Sequence, residues 1–430
     1  MAIRARQRWR ITMRAEPRRR SSCAFAAPLV LGTMLVLTPG VLVSACAAPA
    51  DEATFRRGIN ITRLFDGPLR QADGYADPPF PPWTHELSPT ELQRLRAAGF
   101  DFIRLPIDPG PFLARNDADA LQALTPVFDF LQVAMRAGFG VVVDLHPRPG
   151  GEWSPHAILD APDGPKFTRY QAFASEVAAR LEASHTNHVV LELMNEPQSA
   201  CTRTDAPDWT VYQQRLLAAV RKRAPALGLV VTGGCLSSID GLPYLDLHQL
   251  HDSNLYVMVH FYEPFVFTHQ GASWSPYSKY LAGLRYPVRA ADRDAAQEAT
   301  RAWLSRPALA ADGNATQKAE SQLNDYFAHS FNSDTVGGRL DLAARWSDSM
   351  GLPRSRVIIG EFGVMDEGGG LGNEPADRAA RIAWLHDVAS AATTRGFGWA
   401  VWGYHGAFGI VSDDSTRRLD PDVISALFLR

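Results

Sequence analysis

The chain has 430 residues, 46% of them apolar and 21% charged, with a formal net charge of −3. Those proportions are globular and exclude a disordered polymer. The nearly balanced charge excludes a basic footprint for nucleic acid or for an anionic lipid surface.

The first segment differs from the rest. Arg4, Arg6, Arg8, Arg10, Arg14 and Arg18 to Arg20 precede an apolar run from Phe25 to Val43, and small residues follow at Ser44, Ala45, Ala47 and Ala48. Basic, then apolar, then small is the order of an export signal. Residues 1–46 are therefore set apart as a signal, and 51–430 are read as one folded domain. Val43-Ser44-Ala45-Cys46 resembles a bacterial lipobox, in which Cys46 becomes the lipidated first residue; simple cleavage near Ala47 or Ala50 is the alternative. No later run is apolar over the ~20 residues of a spanning helix. The expectation is an exported monomer, periplasmic, extracellular or an outer-membrane lipoprotein, that meets a membrane only through Cys46.

From residue 55 on, short apolar runs alternate with amphipathic stretches. The predicted strands are Phe55–Thr62, Asp101–Ile107, Gly140–His146, Val189–Met194, Leu229–Gly233, Leu255–Phe261, Val357–Phe362 and Trp399–Trp402. Runs such as Val141-Val142-Val143 suit strands buried on both faces. Between them, helices are predicted over Pro89–Ala98, after the N-cap Ser88 with Glu91 three residues on, and over Thr125–Ala137, Phe167–Ala183, Trp209–Arg223 and Asp377–Arg395. Eight strands with helices between them predict a (β/α)₈ TIM barrel. An open doubly wound sheet is the other arrangement of such units, but the Gly-rich phosphate turn after the first strand is missing. The interval from Glu263 to Arg356 exceeds one crossover. It carries helical stretches over Asp292–Leu304 and Thr316–Ser330, and is read as an insertion between strands six and seven on the catalytic face.

In such a barrel, reactive groups sit at the C-terminal strand ends. Those ends are unusually polar: Ile103-Arg104-Leu105, Asp144-Leu145-His146, Asn195-Glu196-Pro197, His260-Phe261-Tyr262-Glu263, Gly360-Glu361-Phe362-Gly363 and Val401-Trp402-Gly403. Each alone reads as a solvated rim or a structural ion pair. Six in order around one barrel do not.

This set resembles glycoside hydrolase family five, the cellulase family of retaining barrel glycosidases, over about Phe55 to Trp402. The resemblance implies a catalytic domain over 51–430. It implies Glu196 as general acid/base and Glu361 as nucleophile, a pair that a retaining enzyme places roughly 5 Å apart on either side of one glycosidic bond. By the same resemblance Arg104 orients and holds Glu361 charged, Tyr262 hydrogen-bonds it, and Asn195 meets the sugar 2-hydroxyl. His146 and His260 match the family's two active-site histidines, and Trp402 is the stacking floor beneath the sugar. The implied reaction is retaining hydrolysis of β-1,4-linked glucan within the chain, with no cofactor and a polysaccharide or oligosaccharide as partner. A β-mannanase or another β-glucanase of the family is the nearest alternative, and a non-catalytic carbohydrate-binding barrel a remote one.

Trp83, Trp153, Trp274 and Phe408 lie in loops on the same side and are further stacking candidates, as are His156, Tyr404 and His405, each with loop packing as its alternative. Glu192 and Glu263 are read as structural or supporting. No His or Cys spacing predicts a metal site. Cys201 and Cys235 follow neighbouring strands, close enough for a disulfide, with two separate thiols as the alternative.

Overall fold

The computed structural model describes residues 55–429, apart from 73, 185–187, 199–207, 307–308, 310–311 and 367–375. Eight parallel strands close into a barrel: β1 (Arg57–Asn60), β2 (Phe102–Ile107), β3 (Gly140–Leu145), β4 (Val189–Glu192), β5 (Gly228–Val231), β6 (Leu255–His260), β7 (Val357–Phe362) and β8 (Gly398–Val401). Each pairs with its neighbours in chain order, and β1 closes the ring between β8 and β2. The predicted (β/α)₈ architecture is the observed one. Strand ends move by up to two residues, most at β1, where both ends shift, because pairing stops where a loop turns away from the sheet.

The outer ring forms where the sequence carries its stop and start signals. Ser88 caps helix Pro89–Ala98 through a reciprocal box with Glu91, and Gly99 ends it in the left-handed region at φ 116°. Helices Thr125–Arg136, Pro165–Ala183, Trp209–Arg221 and Arg378–Thr394 bury their apolar faces against the barrel. The β5–β6 crossover is made of 3₁₀ turns at Cys235–Ser237, Ile239–Tyr244 and Leu247–Gln249, where Gly241 and Pro243 interrupt any 3.6-residue pattern. The long β6–β7 connection carries helices Arg293–Leu304 and Ala315–Ala328, packed as a pair, then Ser333–Ser349, which joins the ring beside Arg378–Thr394. Among the described residues no helix is long and apolar enough to cross a membrane.

Inside the barrel one alternation runs from bottom to mouth. Phe102, Val142, Val190, Val230, Tyr256, Met258, Ile358 and Ala400 fill the lower interior with Phe55. Two residues further along the same faces stand Arg104, Asp144, Glu192, His260 and Trp402. Side chains two apart on a strand share a face, so one inward stripe turns from apolar to ionisable as it nears the mouth. β7 breaks the count. Val259 pairs with Ile359 but His260 pairs with Glu361, leaving Gly360 as an extra residue. Such a bulge re-aims the following side chain. A Cβ at Gly360 would lie 1.9 Å from the Met258 sulfur, so any larger residue at the inward position that the bulge passes over must displace Met258.

Candidate active site

The guanidinium of Arg104, fully buried, is the hub of the mouth. Its Nε and Nη2 donate to the two Glu192 oxygens at 2.8 and 2.9 Å. Its Nη1 donates to Glu361 Oε1 at 2.8 Å and to Asn60 Oδ1 at 2.9 Å. Nη2 also meets Asn195 Oδ1 at 2.8 Å and Asp144 Oδ2 at 3.0 Å. Burial works against this charge, but Asp144, Glu192 and Glu361 raise its pKa well above the ordinary arginine value.

Glu361 is buried at the end of β7. Besides the Arg104 bond, its Oε2 accepts from the Tyr262 hydroxyl at 3.1 Å. Burial and the Glu361 charge push that phenol well above its usual pKa, so it stays a donor. Both oxygens of Glu361 are therefore held, one by a cation and one by a neutral hydroxyl.

Glu196 faces it from the segment after β4. Its backbone is left-handed at φ 38°, unusual for a residue with a side chain. Burial raises its carboxyl to about 7, partly opposed by His146 and Arg104. Solvent still reaches 34% of the side chain through the mouth. His260 Nδ1 lies 2.8 Å from Glu196 Oε1. Burial lowers the His260 pKa to about 4, so this ring is neutral near neutral pH. Its Nε2 is buried without a hydrogen-bond partner among the described residues. A bare lone pair there costs less than an unsatisfied N–H, which favours the tautomer whose Nδ1–H donates to Oε1. Glu196 Oε2 is then free to carry a proton toward the cleft.

One ligand atom each of Glu196, His260 and Glu361 lie within 4.8 Å of one another. This three-ligand grouping was invisible to a search by spacing, because its members come from three strands. The atoms are already engaged with one another, Arg104 and Tyr262, a donor set arranged for proton and carboxylate chemistry.

His146 Nδ1 meets Asp144 Oδ2 at 2.7 Å, and its Nε2 lies 3.2 Å from the Asn195 amide nitrogen. Burial lowers its pKa, yet Asp144 outweighs burial and lifts it to about 9. Asn195 opposes that protonation, since its oxygen is committed to Arg104 and its NH₂ faces Nε2. The ring stacks against Trp402, centroids 5.8 Å apart at 21°. Trp402 also packs, as Tyr262 does, against the small cluster of Ala272, Met365 and Phe408.

All eight residues singled out by sequence thus converge: Arg104, His146, Asn195, Glu196, His260, Tyr262, Glu361 and Trp402. Three others belong with them. Asn60 ties β1 to Gly360 O at 2.8 Å and Val401 O at 3.1 Å while accepting from Arg104. Asp144 and Glu192 complete the anionic shell, and their inward parity with Arg104 was the available signal. The remaining candidates divide. Trp83 packs edge-on against Phe130, Tyr404 bonds Glu91, His405 meets Glu86, and Glu263 pairs with Arg339. His156 is exposed on a helical turn. Phe408 packs against Tyr262, while Trp274 stands 54% exposed. Cys235 is disulfide-bonded; Cys201 lies outside the described residues, as do residues 1–54, which hold the expected signal and Cys46.

Comparison with known proteins agrees with this geometry. The family described as Cellulase (glycosyl hydrolase family 5) matches residues 74–407. Endoglucanase 3 of Fibrobacter succinogenes is 24% identical over 372 residues, which is 83% of this chain but 50% of that protein. Endoglucanase C of Acetivibrio thermocellus is 23% identical over 355 residues, 82% of this chain and 91% of that one. The cellulose synthase subunit Z from Clostridioides difficile superposes with a TM-score of 0.60 at 21% identity, covering 86% of this chain and 99% of that chain. Thermotoga maritima Cel5A in complex with cellobiose superposes at 0.61 and 20% identity, covering 87% and 98%.

Proposed function

The chain belongs to the cellulase family, glycosyl hydrolase family 5, and from that premise we propose that it is a retaining endo-β-1,4-glucanase with Glu196 as acid/base and Glu361 as nucleophile. The observation that carries the reading is the meeting of their carboxylate oxygens within 4.8 Å. Retaining enzymes hold their carboxyls about 5–5.5 Å apart, whereas inverting ones leave about 6.5–9.5 Å for a water.

The two carboxyls have opposite surroundings, as acid and nucleophile require. Glu361 attacks the anomeric carbon while Glu196 gives its proton to the departing glycosidic oxygen. The C–O bond breaks, one sugar chain leaves with a hydroxyl, and the other remains as an ester on Glu361. A water then attacks that carbon, Glu196 takes the water's proton, and Glu361 leaves as a carboxylate. The Arg104 and Tyr262 bonds fix the attacking oxygens before reaction, so little reorganisation is needed at the barrier. Asn195, held by Arg104, presents its amide where a 2-hydroxyl passes, and Trp402 supports the ring.

The glucan assignment draws on relatives named as endoglucanases. Hydrolysis of carboxymethylcellulose, barley glucan and mannan tests it. Viscosity falling ahead of reducing-end release on the glucans supports endo-glucanase action. Turnover of mannan alone would transfer the site to the mannanase alternative, and binding without turnover to the non-catalytic one.

Export through the 1–46 signal, with lipidation at Cys46, belongs to the same reading and rests on sequence. Fatty-acid labelling that Cys46→Ser abolishes is the expected result; a soluble protein starting after Ala47 is the contrary one. Pairing of the Cys235 disulfide with Cys201 is likewise proposed, and peptide mapping under non-reducing conditions decides it.

A further inference from the structure

Tyr262 reaches Glu361 with its hydroxyl, and the groups that set that reach stand behind its ring. Phe408, from the loop after β8, meets the Tyr262 ring edge-on with centroids 6.0 Å apart, and His269 meets it at 4.9 Å. His269 and Phe408 also meet each other, at 5.2 Å, so three rings close a triangle with Tyr262 at one corner. Edge-on contacts fix the tilt of a ring as well as its place. A Cβ at Gly363 would lie 3.0 Å from Phe408 Cδ1, so the chain two residues past Glu361 runs directly against the same ring.

The backbone of Phe408 belongs to no strand or helix. A buried loop of that kind keeps its place through the partners of its carbonyls. Those of Phe408 and Gly409 are held from outside the barrel by Arg381, which stands in the first turn of helix Arg378–Thr394 and is 2% exposed. Its Nη2 donates to Gly409 O at 2.6 Å and more weakly to Phe408 O at 3.4 Å. Its Nε donates to Val364 O at 3.0 Å, three residues past Glu361, and its Nη1 pairs with Asp366 Oδ2 at 3.0 Å. Asp366 N–H in turn donates to Ala407 O at 2.8 Å. One guanidinium thus ties the chain after β7 to the chain after β8.

Burial pulls the Arg381 pKa below the ordinary arginine value, although the Asp366 charge pulls it up. Lysine would carry the same charge, but a single ammonium cannot place donors in the planar fork that these spread acceptors require. We propose that Arg381 is a positioning residue for the reaction, setting the hydrogen bond from Tyr262 to Glu361 through Phe408. The inference rests on the glycosidase reading above and gives an outer helix a part in holding the nucleophile.

The test is a double-mutant cycle on kcat/KM for a β-1,4-linked gluco-oligosaccharide, with the unfolding midpoint read alongside. Arg381→Lys is expected to lower kcat/KM about tenfold in the wild-type background, the scale of one hydrogen bond to a charged group. In Tyr262→Phe, where the hydroxyl is already gone, the same change should cost less than about twofold. The shift in unfolding midpoint should be equal in the two backgrounds. A merely structural arginine gives equal fold-losses in both, and that result overturns the proposal, as does wild-type turnover in Arg381→Lys or in Tyr262→Phe. If Arg381→Lys does not fold, Phe408→Leu keeps the guanidinium and opens the path at its next member. It should show the same coupling to Tyr262→Phe, and equal fold-losses there overturn the proposal as well. Failure of the wild type to cleave gluco-oligosaccharides of any length overturns the glycosidase reading itself, a separate outcome visible before any variant is made.

Discussion

Arg104 gives two of its three nitrogens to Glu192, and that side-on grip leaves Nη1 aimed at Glu361. Both members of the pair are buried. Glu192 is the last residue of β4, four before Glu196, so one strand supplies the candidate acid and the anchor of the group that orients the nucleophile. Burial pushes the Glu192 carboxyl up, and the Arg104 charge beside it pulls it back down. The bidentate geometry favours the carboxylate.

Replacing Glu192 by Gln keeps the shape and removes one charge and one acceptor. Arg104 is then free to turn, and Glu361 loses its fixed donor. The expected outcome is a ~10–100-fold fall in kcat, about 1.4–2.7 kcal/mol, with KM little changed. A kcat at the wild-type level in a folded variant would show that Glu192 serves packing only.

The pH dependence follows from Glu196. Its raised pKa means that the proton needed by the leaving group is present below about 7 and lost above it. The kcat/KM profile is expected to fall on the alkaline side through about 7. A bound sugar chain expels the water that now reaches Glu196, so the corresponding limb in kcat should lie higher. Glu196→Gln should abolish the limb; with very good leaving groups it should spare kcat/KM, which needs no acid, while kcat falls because the second step still lacks its base. An alkaline limb that persists in that variant assigns it elsewhere.

Gly360 links fold to chemistry. Gly360→Ala brings a methyl into the Met258 side chain and is expected to cost about 1–3 kcal/mol of stability and to displace Glu361, lowering kcat. Met258→Ala opens that space, so the double variant should recover part of both losses, a coupling that a double-mutant cycle measures. Strict additivity would disprove the contact.

Much of this was legible in the sequence, for physical reasons. Continuous apolar runs give buried parallel strands, and Ser88 with Glu91 fixes a helix start, so the barrel and its polar strand ends could be placed by counting, while the resemblance to the cellulase family picked the eight site residues out of those ends. The bulge at Gly360 could not, because it depends on how β6 and β7 pair. Nor could the partners of Arg104: parity places Asn60, Asp144 and Glu192 on the inner face, but only the closed ring decides which nitrogen meets which oxygen. For Tyr404 and His405 the sequence left sugar stacking and loop packing open, and the fold takes the second: Tyr404 bonds Glu91 and His405 lies beside Glu86.

The central claim is that Glu361 attacks carbon and Glu196 moves protons. Incubation with a 2-deoxy-2-fluoro-β-cellobioside bearing an activated leaving group slows breakdown of the covalent intermediate, and peptide mass spectrometry then locates the label. The account predicts one fluorosugar per chain, esterified to Glu361 and absent from Glu361→Gln. A label on Glu196, or turnover with inversion and no trapped ester, would contradict it.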